Sequence, residues 1–493
     1  MPISFVLTTA IFLAAAGGDQ GPRQLSEGAR EVEYDESAFR SGPQYPEPTF
    51  DPDQQQAIYG DKFPIDTQRP LIEWGRDLYT EGPFTPSYTF LGKKNPVKPS
   101  FFVYGDVRAA AGLVDTGGGA GSDEVGRFAI DANLELDLRI TSTERVHAFV
   151  SPFDKNGNFT GFDFAGDQEG REEIQLDANF DALFFEGDMG AIYSGASGKT
   201  NKFDLPFAFG LMPLLFQNGV WVEDAFQGLA VTIPARNSAT LGISNFDTTF
   251  FAGFDDVTTG AALLGGGDDN DAHIFGVTTF IEANEGYWEA GYAYVDMGGN
   301  VSDLDYHNLT AAFTRRYGGW LSNSVRMIAN FGQDPGRGQR TTADGLLVLV
   351  ENSLVTSKPY TFVPYANFFL GINRPQSLAR AAAAGGVLKN TGINFEGDAL
   401  TLFPSLDATG HDAVGAAVGV NYLFNLDKQL VFEIAGQKDH GDKALAPGAQ
   451  FGAGVRVQYP FYNRFIVRAD AMVGVLENTD NIAGVRFEFR WKF

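Results

Sequence analysis

The sequence predicts an all-β chain: one transmembrane, antiparallel, up-and-down β-barrel of about 18 strands, with 16 to 20 compatible, behind a proline-rich acidic N-terminal extension. The first of three supporting observations is a period of two. Phe128, Ile130, Ala132, Leu134, Leu136, Leu138 and Ile140 alternate with Arg127, Asp131, Asn133, Glu135, Asp137 and Arg139. Successive strand residues face opposite ways, so this segment is apolar on one side and charged on the other. The same pattern returns at Phe101–Ala111, Ile174–Phe180, Val467–Val473 and Ala483–Phe493. The second observation is compositional. With 59 Gly, 44 Phe and 17 Tyr and a mean hydropathy of −0.13, the chain suits strands that are apolar on one face only. No stretch after the N-terminus reaches the roughly 20 apolar residues of a spanning helix. The third is the rhythm of the connections. Short links at 141–144, 186–188, 235–239, 282–286, 317–319, 355–358, 425–428 and 461–463 alternate with longer or acidic ones. The latter are 114–126, 153–171, 196–225, 249–272, 297–306, 332–343, 372–411, 439–449 and 477–481. Short turns on one side and long loops on the other are the mark of a membrane barrel with both ends on the short-turn side.

Along the chain, residues 1–16 read as an export signal: Ile3 to Ala16 is apolar and Ala14-Ala15-Ala16 offers a cleavage site, although no positive charge precedes it. Residues 17–99 are rich in proline and acid and form an extension that plugs the lumen, caps its mouth or binds a partner. Within it, Leu71, Trp74 and Leu78 behind Pro70 predict a short amphipathic helix over Pro70–Tyr79. The barrel takes residues 100–493. Tyr287, Trp288, Tyr317, Trp320, Phe461, Tyr462, Trp491 and Phe493 fall beside the short links, where an interfacial aromatic girdle is expected.

Much chemistry is excluded. The chain has no cysteine, so disulfides, thiolate metal sites and cysteine nucleophiles are ruled out together. Its formal net charge of −26 is wrong for a nucleic-acid partner. His147, His273, His307, His411 and His440 are scattered, with no nucleophile paired to a base by spacing. The acidic run Gly265–Asp271 lacks the ligand spacing of a calcium loop. No catalytic residue, metal site or cofactor is expected.

The final strand carries a resemblance. Phe489, Trp491 and Phe493, with apolar residues at alternate positions before them, resemble the C-terminal assembly signal of Gram-negative outer-membrane β-barrel proteins. That implies export, outer-membrane lipid and the barrel-assembly machinery as partners. A second resemblance lies in the 196–225 link, whose residues Phe203 to Asp224 are too apolar for a solvated loop. Phe209, Phe216, Trp221, Glu223 and Asp224 lie there, and the stretch resembles the inward-folded third loop of porins. Two further strands are the other reading, which would make about twenty. In the long link after Ile372, Gln376 or Ser377 offers a cap to a short helix ending at Gly385; this segment is expected as an external lid or a cover over part of the mouth.

The general architecture resembles the substrate-selective porins. The resemblance implies a water-filled lumen, a constricting loop and passive diffusion of a small polar solute, with a homo-oligomer compatible. Arg108, Asp106, Arg456, Arg468, Asp470, Arg486, Glu488, Asp177 and Asp181 are the expected pore lining: the arginines along one arc with Asp106, Asp470 and Glu488 interspersed, and Asp177 and Asp181, with Glu223 and Asp224, further round the wall. An envelope scaffold or docking component is the main competing function; a barrel-borne enzyme is the other.

Overall fold

The computed structural model describes residues 69–75, 99–118, 124–141, 143–199, 201–264, 272–336, 340–381, 384–424, 428–441, 447–462 and 464–493. The expected export signal, most of the extension and the acidic run 265–271 lie outside these residues.

Within them a closed antiparallel barrel of 18 strands forms. The strands are β1 (Ser100–Asp115), β2 (Glu124–Arg139), β3 (Arg145–Val150 and, in the same lane, Asn158–Gly166), and β4 (Glu172–Glu173 and Ala182–Asp188). They continue as β5 (Pro206–Phe216), β6 (Val222–Ser238), β7 (Ile243–Asp255), β8 (Ala272–Ala283), β9 (Gly286–Met297), β10 (Tyr306–Tyr317) and β11 (Leu321–Phe331). The circuit ends with β12 (Leu346–Leu354), β13 (Phe362–Ile372), β14 (Ala413–Phe424), β15 (Lys428–Asp439), β16 (Gln450–Phe461), β17 (Phe465–Leu476) and β18 (Ile482–Lys492). β18 pairs back onto β1 from Asp106↔Lys492 to Asp115↔Ala483, which closes the sheet.

The faces follow the alternation. Phe128, Leu113, Val473, Val485 and Phe487 are exposed on the outside, whereas Asp131, Asp137, Arg468, Arg486 and Glu488 are buried inside. Large apolar side chains facing outward from every sector of a closed barrel make a lipid-facing surface.

Four expectations need correction. Residues 72–74 are a short strand, not a helix: Ile72↔Val103 and Trp74↔Phe101 are paired, and Leu71 N donates to Val103 O at 2.7 Å. The last strand supplies the reason. Phe493 stops at Gly105, with N–H to O of 3.0 Å, so β1 below it offers an open edge that takes a strand more readily than a helix. Second, the expected external link 153–171 is largely wall, because Val125–Ile130 pair with Thr160–Gly166. Third, 186–188 is not a turn. β4 runs through Asp188, whose carboxylate accepts from Ala191 N at 2.7 Å and starts helix α1 (Met189–Ser197). The strand count survives because β5 replaces the strand expected at 189–195. Fourth, the Gln376–Gly385 segment is not a helix. Ala379 and Arg380 are extended and pair in parallel with Val222 and Glu223, since the backbone groups find partners in that strand.

The core lies inside the barrel. One apolar cluster joins Met212, Trp221, Val222 and Phe226 to the inner wall residues Phe251, Ile274, Ala293 and Val295. A second joins Leu388, Phe395, Phe403 and Leu406 to Leu347, Leu349, Phe369, Met472 and Ile482.

The outward assignment is tested at Phe487, 52% exposed. Arginine at the lipid face near mid-depth costs about 2–4 kcal/mol. Phe487→Arg should therefore lower the stability of the barrel folded into vesicles by that amount in a denaturant titration, and Phe487→Leu by less than about 1.5 kcal/mol.

Candidate functional site

Eighteen strands enclose a lumen wider than wall side chains fill, and two inserted segments narrow it. The first is the end of the β5–β6 hairpin. The β4–β5 ladder ends at Leu183↔Leu211, and beyond it β5 and β6 run on paired to each other as far as Phe216↔Val222. A bulge at Gln227/Gly228 accompanies the departure; Gly210 has φ of 120°, and a Cβ on Gly228 would stand 2.0 Å from Ala252 O. Gly210 and Gly228 face each other across the ladder, so backbone bends where side chains would obstruct it.

The ribbon folds over the inner wall of β7–β10. Trp221 is fully buried, its Nε1 donates to Asn308 Oδ1 at 2.8 Å, and its ring lies 5.9 Å from those of Phe216 and Phe251. Opposite it stands Gly291, where a Cβ would be 2.4 Å from the indole. Thr310 donates to Gln217 Oε1 at 2.9 Å. Of the residues expected in an inward loop, Phe216, Trp221, Glu223 and Asp224 are in this ribbon. Phe209 is not: it is half-exposed on the outer face of β5. Asp224 caps a neighbouring loop, accepting from Thr258 N at 2.8 Å.

The second insert is the β13–β14 connection, residues 373–412, expected as an external lid or a cover over part of the mouth. It lies inside. Asn394, Leu400, Thr401, Phe403 and Leu406 are buried against β1, β2 and β15–β18. Its bed is a set of inward glycines: a Cβ on Gly112 would stand 3.0 Å from Thr401 Cβ, one on Gly484 3.0 Å from Pro404 Cδ, and one on Gly454 2.7 Å from Asn394 Oδ1. The correction has a plain cause. Six large apolar residues, Leu378, Leu388, Phe395, Leu400, Phe403 and Leu406, need burial.

Charge fixes the insert in place. Asp470 accepts from Arg456 Nε at 2.6 Å and from Arg468 Nε and Arg486 Nε at 2.8 Å each. Glu396 takes Arg456 Nη1 at 2.7 Å and Arg468 Nη2 at 3.4 Å, and Asp398 takes Arg486 Nη1 at 2.5 Å. Glu433 accepts from Ile393 N, Asn394 N and Asn394 Nδ2 at 3.0, 2.9 and 2.8 Å. The expected arc of Arg108, Arg456, Arg468, Arg486, Asp106, Asp470 and Glu488 is thus assembled, though as ion pairs: Arg108 with Asp131, Arg490 with Glu488 at 2.7 Å and with Asp106 at 3.5 Å. Burial opposes ionisation of Asp398, and the Arg486 guanidinium overcomes it, holding the carboxyl well below the usual range. Burial likewise opposes that of Glu396, while Arg456 and Arg468 hold it low. Glu396, Asp398 and Glu433 were missed by the sequence reading.

Asp177 and Asp181 sit apart, on the stretch between the two parts of β4. Asp177 N bonds Pro152 O at 3.3 Å, and Asp181 is hydrogen-bonded to Ser151 and exposed. The two inserts meet across the lumen. Leu378 N donates to Trp221 O at 2.8 Å, Ser377 Oγ to Val220 O at 2.8 Å, and Arg380 pairs with Glu223 at 3.1 Å.

No family model and no curated protein matches the chain. Among solved structures, OpdK of Pseudomonas aeruginosa, determined with vanillate, aligns at a TM-score of 0.52 and 12% identity, covering 79% of this chain and 98% of its own. OccK5 (OpdH) of the same organism gives 0.51 at 11%, covering 80% and 98%, and OccK9 (OpdG) gives the same values. The likeness is one of fold, and the class the fold defines is the closed, 18-stranded antiparallel β-barrel.

The carboxylates give a sign to the pH dependence. Because both pKa values in the insert are depressed, its docking is complete above the ordinary carboxylate pKa near 4 and is lost as pH falls through the lower folded values. Single-channel conductance should stay constant from pH 7 to about pH 4 and become larger and noisier below. Asp398→Asn, which leaves Arg486 short of a partner in a buried cluster, should loosen docking by about 3–5 kcal/mol and show the noisy state at neutral pH.

Proposed function

We propose that the protein is an outer-membrane channel for passive diffusion of small polar solutes. The observation that carries this is the lumen itself: a wide barrel narrowed at one level by an apolar ribbon and a charge-pinned insert that touch each other, leaving the sector beside β4 to define the passage. That sector is acidic. Asp177 and Asp181 lie on β4's lane, whereas the inward acids of β2 are buried against partners, Asp131 with Arg108, Glu135 with His147, and Asp137 with Arg139 and Arg145.

The arginines on the opposite wall are neutralised by Asp470, Glu396 and Asp398, so Asp177 and Asp181 set the field in the passage and favour cations. The hydrogen-bonded docking of both inserts on the inner wall supports a fixed pore. Outer-membrane lipid surrounds the exposed apolar face. Assembly by the barrel-assembly machinery rests on the C-terminal aromatic pattern: Phe489 and Trp491 face outward, while the Phe493 amide bonds β1.

Planar-bilayer recording of the purified chain should give discrete ohmic steps, and absence of steps would refute the channel. In a salt gradient, Asp177→Asn with Asp181→Asn should shift the reversal potential toward anions. An unchanged potential would place the passage elsewhere.

A further inference from the structure

We propose that the barrel wall has a lateral opening between β4 and the β5–β6 ribbon, through which single-chain amphiphiles dissolved in the bilayer enter the lumen. This second route rests on the membrane-barrel reading, and not on passage of polar solutes.

The hydrogen-bond ladder is the starting point. β4 and β5 pair only from Asp188↔Pro206 to Leu183↔Leu211. Above that level the ribbon has left for the lumen, while β4's lane continues beside β3: Thr160 Oγ1 donates to Gln175 O at 2.6 Å, and Glu172 pairs with Phe162. Among the described residues, 174–181 therefore have strand neighbours on their β3 side only. A free strand edge facing hydrocarbon would leave backbone groups unsatisfied at several kcal/mol each. Irregular backbone at membrane depth is tolerated where it lines a wet cavity. Asp177, Asn179 and Asp181 on this edge provide the wet side.

The outer side is apolar. Ile174, Leu176 and Phe180 along the edge are 73%, 65% and 47% exposed. On the outer wall a shallow apolar groove floored by Ala471, Ala483, Gly126 and Ala165 runs to β3, the strand that carries this rim.

The opposite rim makes the opening a route. Met212, Val222 and Phe226 occupy the ribbon face that is buried on the inner wall. The other face continues the lipid-facing row of β5: Phe209, Leu211, Pro213 and Leu215 lie at alternate positions, and Phe209 and Leu215 are both exposed. Where the ribbon turns inward, the membrane-facing surface of the wall is carried into the barrel with it. No charge interrupts that row before the tip, where Glu223, Arg380, Asn218 and Asn390 gather polar groups. An apolar slide ending in paired charges suits a molecule with one flexible chain and a polar head. A purely polar solute gains nothing from the slide, and a hydrocarbon gains nothing from its end.

The chain has no cysteine, so single labels report cleanly. Full-length protein carrying Leu215→Cys, labelled with bimane and reconstituted in phosphatidylcholine brominated at mid-chain, should be quenched to at least half the extent of Leu229→Cys on the lipid face. Quenching no greater than that of the lumenal control Gln458→Cys would overturn the opening, whether water or a second copy of the chain occupies the gap. For transport, Leu176→Cys is modified after folding with a bulky charged maleimide, which avoids any assembly defect. Transfer of a fluorescent single-chain phosphocholine from the outer leaflet to albumin trapped inside the vesicles should fall about tenfold on modification, with swelling in a small sugar unchanged. Unaltered amphiphile transfer, or equal loss of amphiphile and sugar flux, would overturn the lateral route. Quenching at Leu215 with no sugar flux in the parent protein would instead refute the polar channel and leave the opening standing.

Discussion

A closed sheet of this size depends on one constraint: every buried backbone group must be paired, yet the space inside must be filled by something other than wall side chains. The chain meets it by turning two of its own connections inward and giving each a bed on the wall. Under the ribbon the bed is apolar, with Gly291 making room for Trp221. Under the 373–412 insert it is glycine and charge. Gly112, Gly454 and Gly484 bring the insert's backbone close, and Arg456, Arg468 and Arg486 meet the carboxylates it delivers.

That arrangement explains why the arginines are tolerated. A guanidinium buried without a partner is strongly destabilising, and Asp470 alone, shared by three arginines, leaves a surplus of positive charge. Glu396 and Asp398 supply the balance from outside the sheet. The wall is therefore electrostatically complete only with the insert docked, so the narrowing of the lumen and the neutralisation of its basic sector are one event. On the proposed channel reading, permeation then falls to the sector left uncovered, where Asp177 and Asp181 on β4's lane stand apart from the arginine cluster.

The wall was legible in the sequence because its signal is repetitive. Residues 127–140 and 483–493 alternate strictly, and each face is fixed by the contrast between lipid and lumen. The inserts were read unequally. The 196–225 stretch was noticed as too apolar for solvent, although its first part, including Phe209, turned out to be wall and its continuation lumenal ribbon; period-two patterning does not mark where a strand leaves its neighbour. The 373–412 segment has the same excess of buried apolar residues, spread over a longer stretch broken by alanine and glycine, and so was read as a cover. The glycines facing it were present as a signal. Gly112, Gly454 and Gly484 all fall at inward positions of strands that otherwise carry charges there.

The pairing of Asp470 with three arginines could not be read from spacing, because Arg456, Arg468 and Arg486 come from three strands whose register is set by turn lengths. Once the register is fixed, Arg456↔Asp470↔Arg486 lie directly across adjacent ladders, and their proximity is compulsory. The incomplete ladder between β4 and β5 has the same origin. A hairpin that folds inward to fill the lumen can no longer serve as wall, so the lumenal ribbon and the missing rungs between β4 and β5 are two consequences of a single bend at Gly210 and Gly228.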